Sequence, residues 1–377
     1  MKITGIRAHL CHFPLPAPFS PSWLAGFPAL SNGCAIYRIQ TDEGIEGVTA
    51  SPLLGDEARG LVNLLRLSLT GRDPTQVEDI VKILRSSTRQ LGIRAWHVEP
   101  ALWDIVGKAA GMPVFRLLGG ARTRVRAYAS TGELRSGEQR AEDVAARVEE
   151  GFTAVKLRVR FMTVEEDVAV VRTVREAHPD VTLMVDANMG WRTHGFAEYP
   201  EWDLARATRF ARELEDLNVA WLEEQLDQFD YRGYAELRRR TSVPLAAGEM
   251  LSDLHGFRDM VEHRAVDVLQ PDAILSGGIL MSRKIAGMAE AAGIGFSPHT
   301  WTNGVGLRVN MQVMGATTGN VWCEYPIDPP GWIPEVRDAM LTEPTTVDPD
   351  GFVTIPDVPG LGIELDEDAL GKHGEEV

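Results

Sequence analysis

Three acidic residues in the middle of the chain stand directly after short apolar segments. Asp186, Glu223 and Glu249 are spaced by roughly one strand–helix unit each. Acids that meet at one place repel each other unless a cation lies between them, and carboxylate oxygens are ligands that Mg²⁺ prefers. No histidine or cysteine cluster at zinc spacing competes with them. We expect one Mg²⁺ ion per chain bound by all three, although helix capping or ion pairing would explain any one of them alone.

A histidine and an aspartate follow two later apolar segments. His299 stands in Phe296-Ser-Pro-His299, and Asp272 stands in Gln270-Pro-Asp272. An aspartate that accepts a hydrogen bond from one imidazole nitrogen orients the other nitrogen as a base. We therefore predict a dyad of His299 and Asp272. The alternative is a histidine that only satisfies its hydrogen bonds in a packed barrel mouth.

Two basic residues and one further acid complete the set. Lys156 and Arg158 share one parity of a β-rich segment, so both side chains should point inward, where buried cations need anions. They either pair with the metal-binding acids or take part in catalysis as well. Glu324 follows the last β-rich segment. It either donates a hydrogen bond to an enolate oxygen when protonated or pairs with a cation.

The segments that must position these residues alternate with amphipathic helical patterns. Helices between the strands imply parallel crossovers, and eight strands imply a closed barrel whose strand ends meet at one mouth. One helix opens with Thr163 and Glu166 at capping-box spacing. The eight strand candidates are residues 125–130, 154–159, 182–186, 220–222, 245–247, 266–270, 293–297 and 321–324.

The residues before the barrel pattern predict a smaller α+β domain. A hairpin around Asp42-Glu43-Gly44 follows an opening strand, and helical patterns then continue to Gly119-Gly120. Short apolar stretches near Thr354 and after Gly360 suggest that the C-terminal tail returns to this first domain. The expected organisation is a capping domain over residues 1–120, a barrel over 121–325 and a returning tail over 326–377.

One segment of the first domain does not read as a regular element. Residues 14–33 are rich in Pro, Ser and Gly and carry Phe19, Trp23 and Phe27. We interpret them as an irregular loop that is either a lid over the site or a surface loop packed on its own domain.

The composition of the chain excludes several classes of protein. Of its 377 residues, 44% are hydrophobic and 24% are charged, which is typical of globular proteins. The formal net charge of -16 argues against a nucleic-acid-binding surface, and no run of apolar residues reaches membrane-spanning length. Three cysteines far apart in the sequence favour a reducing compartment without disulfides. We expect a soluble cytoplasmic protein whose pocket supplies local cations for a carboxylate substrate.

The motifs that carry these residues resemble the enolase superfamily, in its mandelate racemase-type subgroup. The likeness continues ahead of the barrel, in Ala101-Leu-Trp-Asp-Ile-Val-Gly-Lys108 and Leu117-Leu-Gly-Gly120, so it covers nearly the whole chain. It implies an α/β fold in which an α+β capping domain lies over a TIM-type (β/α)7–8 barrel. The resembling motifs are Lys156-x-Arg158, Val185-Asp186-Ala-Asn188, Trp221-Leu-Glu223-Glu224, Gly248-Glu249, Pro271-Asp272 and Pro298-His299.

The resemblance also implies roles for individual residues, with two departures. The family commonly has Lys-x-Lys on strand two, but Arg158 holds the second position here, and a guanidinium is a poor base. Gln225 stands where the family often has Pro. Leu275 occupies the place of a lysine in muconate-cycloisomerase-like relatives, which favours the dyad subgroup. The implied roles are Mg²⁺ ligands for Asp186, Glu223 and Glu249, the dyad for Asp272 and His299, and the strand-eight acid for Glu324.

We expect an enzyme that removes the proton next to a substrate carboxylate and holds the enolate on Mg²⁺. Racemisation needs a base on each face of the α-carbon, whereas the strand-two face offers only Lys156 and Arg158. Dehydration of an acid sugar to a 2-keto-3-deoxy acid needs one base, His299, which can also protonate the departing hydroxyl. The alternatives are a cycloisomerase, racemase or epimerase of a related acid or lactone and, from another class, a barrel that binds metal and acid without turnover.

The remaining expectations concern what the site and the chain bind. Trp23 and Asn188 are the predicted substrate-binding residues, and Arg158 with Lys156 should bind the substrate carboxylate or stabilise the enolate. The predicted partners are a small carboxylate, either an acid sugar or a lactone, and other copies of the same chain. Neither nucleic acid nor a membrane is expected as a partner.

Overall fold

The N-terminal part of the chain folds around a four-stranded antiparallel sheet. The computed structural model describes residues 1–53, 55–191 and 199–377. The C-terminal strand of the chain lies at one edge of this sheet, beside the first strand. The elements of this part are β1 (Ile3–Phe19), β2 (Ala29–Thr41), β3 (Glu46–Pro52), α1 (Glu57–Leu69), α2 (Val77–Leu91), α3 (Glu99–Ala110) and the one-turn α4 (Val114–Leu117).

The interpretation of residues 14–33 as irregular is wrong for most of the segment. Strand β1 continues to Phe19, and β2 pairs with it from Ala29 onward, with a register shift between Pro14 and Phe19. The C-terminal strand pairs only with the middle of β1. Beyond Cys11 it no longer covers that edge of β1. Prolines lack the N–H group and are tolerated along such an edge. A short 3-10 turn at Ser22–Leu24 joins the two strands.

The hairpin brings two of the three cysteines, which are far apart in the sequence, next to each other. Cys11 and Cys34 are directly opposite on β1 and β2, although 23 positions separate them in the sequence. Both thiols and that of Cys323 are free and buried. Sequence distance therefore did not predict which residues the strand pairing brings together.

All eight predicted barrel segments contain a parallel strand. In the sheet, six strands follow one another from β4 to β9, β10 lies beside β9, and β11 pairs with β4. The Oγ of Ser297 donates to the carbonyl of Trp322 at 3.1 Å and so links the two ends of the ladder. The strands are β4 (Arg124–Ser130), β5 (Ala154–Arg158), β6 (Thr182–Asp186), β7 (Val219–Glu223), β8 (Leu245–Ala247), β9 (Val268–Leu269), β10 (Gly295–Phe296) and β11 (Trp322–Pro326).

Helices follow the barrel strands and cover them. The predicted capping box is confirmed, because the Thr163 side chain accepts from the Glu166 backbone at 3.2 Å while Glu166 accepts from the Thr163 N–H at 2.9 Å. The helices are α5 (Gly137–Glu149), α6 (Val164–Ala177), α7 (Leu204–Leu214), α8 (Tyr231–Arg238), α9 (Leu254–Glu262), α10 (Gly278–Ala292), α11 (Gly304–Gly315) and the one-turn α12 (Pro334–Arg337).

The C-terminal tail contacts both parts of the molecule. The strand β12 (Phe352–Thr354) pairs with β4, so the stretch at Thr354 lies on the barrel and not on the first domain. The Leu361 N–H donates to Asp104 of α3 at 2.8 Å. After the helix α13 (Glu367–His373), the strand β13 (Gly374–Glu376) pairs with β1.

Apolar side chains fill the space between the barrel strands and their helices. Val155, Val171 and Phe210 belong to one large buried cluster that also includes residues of β1 and β2. A second cluster joins the antiparallel sheet to α1, α2 and α3. Among the described residues, no helix is long and apolar enough to cross a membrane.

Candidate active site

The three acids predicted to bind a metal do come together. Oxygens of Asp186, Glu223 and Glu249 lie within 4.8 Å of one another, and all three side chains are buried. They stand at the ends of β6 and β7 and just after β8, which are neighbouring strands of one sheet. The Oε2 atom of Glu249 has no hydrogen-bond partner among the described residues, although Nε2 of His299 lies 3.3 Å from it. A buried carboxylate needs a cation or a donor, so this group fits a hard divalent cation.

Neighbouring side chains fix the orientation of each acid. Glu223 accepts from the Trp221 indole and from the Gln270 amide, both at 3.0 Å. The Trp191 indole donates to Oε1 of Glu249 at 2.8 Å. The Arg158 guanidinium contacts Asp186, so all three acids are held by outer partners, as metal ligands commonly are.

Lys156 lies between the metal group, which is formed by Asp186, Glu223 and Glu249, and the last barrel strand. Its Nζ is 2.7 Å from Glu223, 2.8 Å from Glu324 and 3.5 Å from Asp186. Burial by itself lowers the pKa of Lys156, but the charges of Glu223 and Glu324 outweigh it and raise the pKa above its usual value. The ammonium group is therefore held in its charged form.

Arg158 points into the same mouth and is equally well paired. Its guanidinium contacts Asp186, and its Nε donates to the Thr131 carbonyl at 2.6 Å. The indole rings of Trp23 and Trp301 lie 5.1 and 5.2 Å from the guanidinium carbon. Burial raises the pKa of Asp186 to about 7, and the charge of Arg158 opposes that rise. A cation on Asp186 would favour its ionised form further.

His299 and Asp272 form the predicted pair. The Nδ1 atom of His299 lies 2.9 Å from a carboxylate oxygen of Asp272, so Nδ1 carries the proton. Its Nε2 atom is 3.3 Å from Glu249 and 3.8 Å from Glu324. Burial lowers the pKa of His299, but the charges of Glu249 and Glu324 raise it to about 10. A cation bound by Glu249 would offset that charge and lower the pKa.

Glu324 is placed as an acceptor. It accepts from the Ser130 hydroxyl at 2.6 Å and from the Thr300 N–H at 2.8 Å, and it contacts Lys156. Burial raises its pKa, but the charges of Lys156 and His299 outweigh burial and lower the pKa to about 2. The geometry therefore favours ion pairing over the predicted alternative of a protonated donor.

The two predicted substrate-binding residues lie next to this group. Asn188, with φ of 49°, follows Asp186 and accepts from the Ser22 hydroxyl at 2.7 Å. Arg160 donates to the Ser22 carbonyl at 2.8 Å, so two contacts hold the 3-10 turn against the barrel mouth. The turn carries Trp23, whose ring centroid is 4.8 Å from that of Trp301 in an edge-on arrangement.

Several residues of the site were not singled out by the sequence. Trp191 and Gln270 position the metal-binding acids, and their roles depend on contacts between strands that no local pattern predicts. Glu224 is buried in the left-handed region, with φ of 48°, and burial together with the charge of Glu249 raises its pKa well above the usual value. Gln225 is also buried, and nothing in the structure explains its replacement of Pro.

A cavity of about 410 Å³ opens onto this site. Its barrel side includes Arg158, Asn188, Glu249 and His299. The volume lies within the range of ordinary small-molecule sites, about 300 to 1,000 Å³. A small substrate in this cavity would contact the dyad and the metal group at once.

An α/β barrel that brings three acids and an Asp–His pair to one mouth beneath a small antiparallel domain defines the class of enolase-type barrel enzymes. The sequence matches the enolase C-terminal domain-like family over residues 139–369. It matches the N-terminal domain of mandelate racemase and muconate lactonizing enzyme over residues 18–119. The chain belongs to the mandelate racemase/muconate lactonizing enzyme family of the enolase superfamily.

Individual relatives are similar over almost their whole length. The chain is 34% identical to D-galactarolactone cycloisomerase of Agrobacterium fabrum, over 98% of each chain. It is 30% identical to L-talarate/galactarate dehydratase of Salmonella typhimurium, over 98% of this chain and 90% of the relative. The crystal structure of L-talarate dehydratase from Polaromonas sp. JS666, complexed with Mg and L-glucarate, superposes with a TM-score of 0.86 at 29% identity, covering 100% of this chain and 98% of the other.

Proposed function

We propose that the chain is a Mg²⁺-dependent enzyme that removes the α-proton of a sugar-acid carboxylate with His299 as the base. One observation carries the proposal. His299 is bonded to Asp272 at 2.9 Å and faces the same cavity as the buried acid Glu249. A protein that only bound metal and acid would have no use for Asp272 behind the histidine.

Asp186, Glu223 and Glu249 hold the metal in this proposal. Their oxygens converge within 4.8 Å, and carboxylate oxygens suit Mg²⁺. The complex of a similar dehydratase with Mg and L-glucarate supports the choice of metal. Mg²⁺ bound there supplies positive charge to the substrate carboxylate and so makes its α-proton more acidic.

Asp272 prepares His299 for proton abstraction. It accepts the Nδ1 proton, so the lone pair of the neutral imidazole lies on Nε2. Asp272 is itself held by the Ile274 N–H at 2.7 Å and by the Asn310 amide at 3.2 Å. The carboxylate therefore cannot rotate freely, and Nε2 is kept in the direction of the cavity.

The opposite face of the site offers charge and no base. Lys156 is held as an ammonium by Glu223 and Glu324, and Arg158 contacts Asp186 and the Thr131 carbonyl. Neither can accept a proton at neutral pH. They stabilise negative charge that develops on the substrate, as fixed cations do in a site closed to water.

One base on one face suits dehydration. His299 takes the α-proton, and the electron pair of the C–H bond moves toward the carboxylate to give an enolate, which either takes a proton back at the α-carbon or expels the β-hydroxyl to leave an enol. The imidazolium protonates the departing hydroxyl, so one water leaves for each substrate. The enol then tautomerises to a 2-keto-3-deoxy acid. The names of several relatives, such as L-talarate/galactarate dehydratase, support this outcome.

Cycloisomerisation of a sugar lactone is the second candidate. It is favoured by the 34% identity to D-galactarolactone cycloisomerase over 98% of each chain. The product would keep the mass of the substrate, because no water is lost.

A panel of acid sugars and lactones, incubated with the protein and Mg²⁺ in D₂O, tests the proposal. The expected result is a keto acid that has lost one water, formed by wild type and not by a His299→Asn variant. A product of unchanged mass would assign the second candidate. If no member of the panel forms product or exchanges its α-proton, the protein is a binder and the proposal is wrong.

A further inference from the structure

The cavity does not end at the barrel mouth but continues into the N-terminal domain. Its far side is lined by Tyr37 of β2, by Leu61 of α1 and by Trp96 and His97, which precede α3. Arg94 also lines this side. In the described part of the chain, no contact joins these residues to Asp186, Glu223 or Glu249. They would therefore face the part of a substrate that is remote from the reacting carbon.

His97 is an unsatisfied donor or acceptor in this far side. The residue is only 8% exposed, and its Nε2 has no hydrogen-bond partner among the described residues. Its ring packs against that of Tyr37, with centroids 5.2 Å apart. Buried polar atoms in native proteins almost always have partners, so an open nitrogen beside a cavity points to a ligand group.

Arg94 brings a positive charge to the same place. It forms no salt bridge or hydrogen bond with any residue that the structure describes, in contrast to Lys156 and Arg158. Arg94 is exposed to solvent and also lines the cavity, where it adds positive charge in a chain with a formal net charge of -16. Arg94 and His97 are three positions apart in the sequence, and both line the cavity. Glu57 lines the cavity too and opposes an anion there.

The far side is held rigidly against the barrel. The Trp96 indole donates to the carbonyls of Ile274 at 3.1 Å and Leu275 at 3.2 Å. Ile274 and Leu275 also donate their backbone N–H groups to Asp272. Trp96, the neighbour of His97 in the chain, is therefore anchored to the same turn as the carboxylate that orients His299.

We propose that Arg94 and His97 form a second anion-binding site that takes a carboxylate at the far end of the substrate. This inference rests on the proposed function and narrows it, because the substrate would be a dicarboxylic sugar acid. A guanidinium and an imidazole N–H are both donors to a carboxylate, and the guanidinium supplies the opposite charge. A monocarboxylic acid with a hydroxymethyl group at that end would leave Arg94 without its anion.

Galactarate and D-galactonate form a matched pair of probes, since they share the configuration of all four hydroxyl carbons and differ only in the far carboxylate. Trp23, Trp96, Trp191 and Trp301 line the cavity, so tryptophan fluorescence reports binding without turnover. Titrations would be run with and without Mg²⁺. Wild type is expected to bind galactarate about ten-fold more tightly than D-galactonate, as a charge-assisted hydrogen bond predicts.

Four variants test which residues cause the preference for galactarate over D-galactonate. Arg94→Gln should remove most of the preference for galactarate, Arg94→Lys should retain part of it, and His97→Phe should reduce it about three-fold. Glu57→Gln should increase it, because a repelling charge is lost. Affinity for D-galactonate should stay within about two-fold of wild type in all four. A general disturbance of the cavity would weaken both acids alike and would overturn the assignment.

The two proposals fail in different ways. Equal or weaker binding of galactarate by wild type, including no binding of either acid, overturns the second site. If D-galactonate nonetheless exchanges its α-proton in D₂O with Mg²⁺, the proposed function stands without it. If galactarate binds through Arg94 but no acid exchanges its proton, the second site stands and the proposed chemistry is wrong.

Discussion

The cavity has a barrel side and a domain side, the latter being the far side lined by the N-terminal domain. The two differ in how their charged and polar groups are paired. On the barrel side Lys156 is paired with Glu223 and Glu324, and Arg158 is paired with Asp186. On the domain side Arg94 has no partner among the described residues, and His97 keeps an open nitrogen. Paired charges that cannot move suit a reaction in which charge develops at one place. Open donors among apolar walls suit the selection of a ligand.

The two histidines of the cavity show the same contrast. Acids surround His299 and raise its pKa to about 10 against the effect of burial. Burial, together with the smaller effect of the Arg94 charge, lowers the pKa of His97 to about 4. One imidazole is placed to exchange protons, and the other is kept neutral. Changes at four residues test this contrast, and their expected effects decrease from His299 through Glu223 and Trp23 to His97.

His299→Asn should have the largest effect. It removes the imidazole that accepts the α-proton, so kcat on the sugar acid identified for wild type should fall by roughly 10²-fold to 10⁴-fold, the contribution of general acid–base catalysis. Mg²⁺ affinity, measured by calorimetry, should be unchanged. The matched control is His263→Asn, the same change at an exposed histidine at the end of α9, which should keep the wild-type rate. A His299→Asn variant as fast as wild type would assign the base to another residue.

Glu223→Gln tests the metal group on the same side. The change keeps the size of the side chain but removes a charge that both Lys156 and the metal need. Mg²⁺ affinity should fall by more than the roughly 10-fold to 100-fold that loss of an outer partner costs, and activity should fall with it. Unchanged Mg²⁺ affinity in the folded variant, again by calorimetry, would remove Glu223 from the site.

Most of the barrel side could be predicted from the sequence. Each of its acids follows a β-rich segment, and parallel strands carry such residues to one end of a barrel. The dyad followed from the same rule, because Asp272 and His299 come after neighbouring strands. The rule could not predict how each side chain is oriented. One example is Glu249, which accepts a hydrogen bond from the Trp191 indole.

The domain side could not be predicted in the same way. A helical pattern begins at Trp96, but nothing in that pattern shows that Arg94, Trp96 and His97 line a cavity. This is visible only in the structure, where the Trp96 indole bonds to the barrel carbonyls of Ile274 and Leu275. Residues 14–33 were misjudged for a related reason. Their prolines hide the period-two pattern of a strand, which is visible only once β2 is paired with β1.

Trp23→Ala should have an intermediate effect. Its indole lies over the Arg158 guanidinium and meets the Trp301 ring edge-on, at the boundary of the two sides. Loss of one buried cation–π contact, about 1–2 kcal/mol, should lower kcat/KM about ten-fold or more while the fold is kept. Phe27→Ala, at an exposed position of the same segment, is the control expected to match wild type. If Trp23→Ala also matches wild type, that side chain neither covers nor binds the substrate.

The pH dependence of stability should show the smallest change. His97 has a pKa of about 4 in the folded protein against 6.5 as its ordinary value. A depressed pKa stabilises the fold above pH 6.5, and this contribution is lost as the pH falls toward 4. The loss amounts to about 3 kcal/mol. In urea unfolding, His97→Phe should therefore lose less stability than wild type between these pH values, and parallel curves would contradict the neutral state of His97.

Exchange of the α-proton in D₂O tests the central claim, that a single base on the His299 side performs the proton transfer, most directly. With Mg²⁺ and the sugar acid that wild type converts, deuterium should enter the α-position in wild type. It should not enter above background in His299→Asn. Arg158→Met should still exchange, although more slowly, because Arg158 only stabilises charge. If His299→Asn exchanges at the wild-type rate while Arg158→Met does not, the base lies on the strand-two face and the account is contradicted.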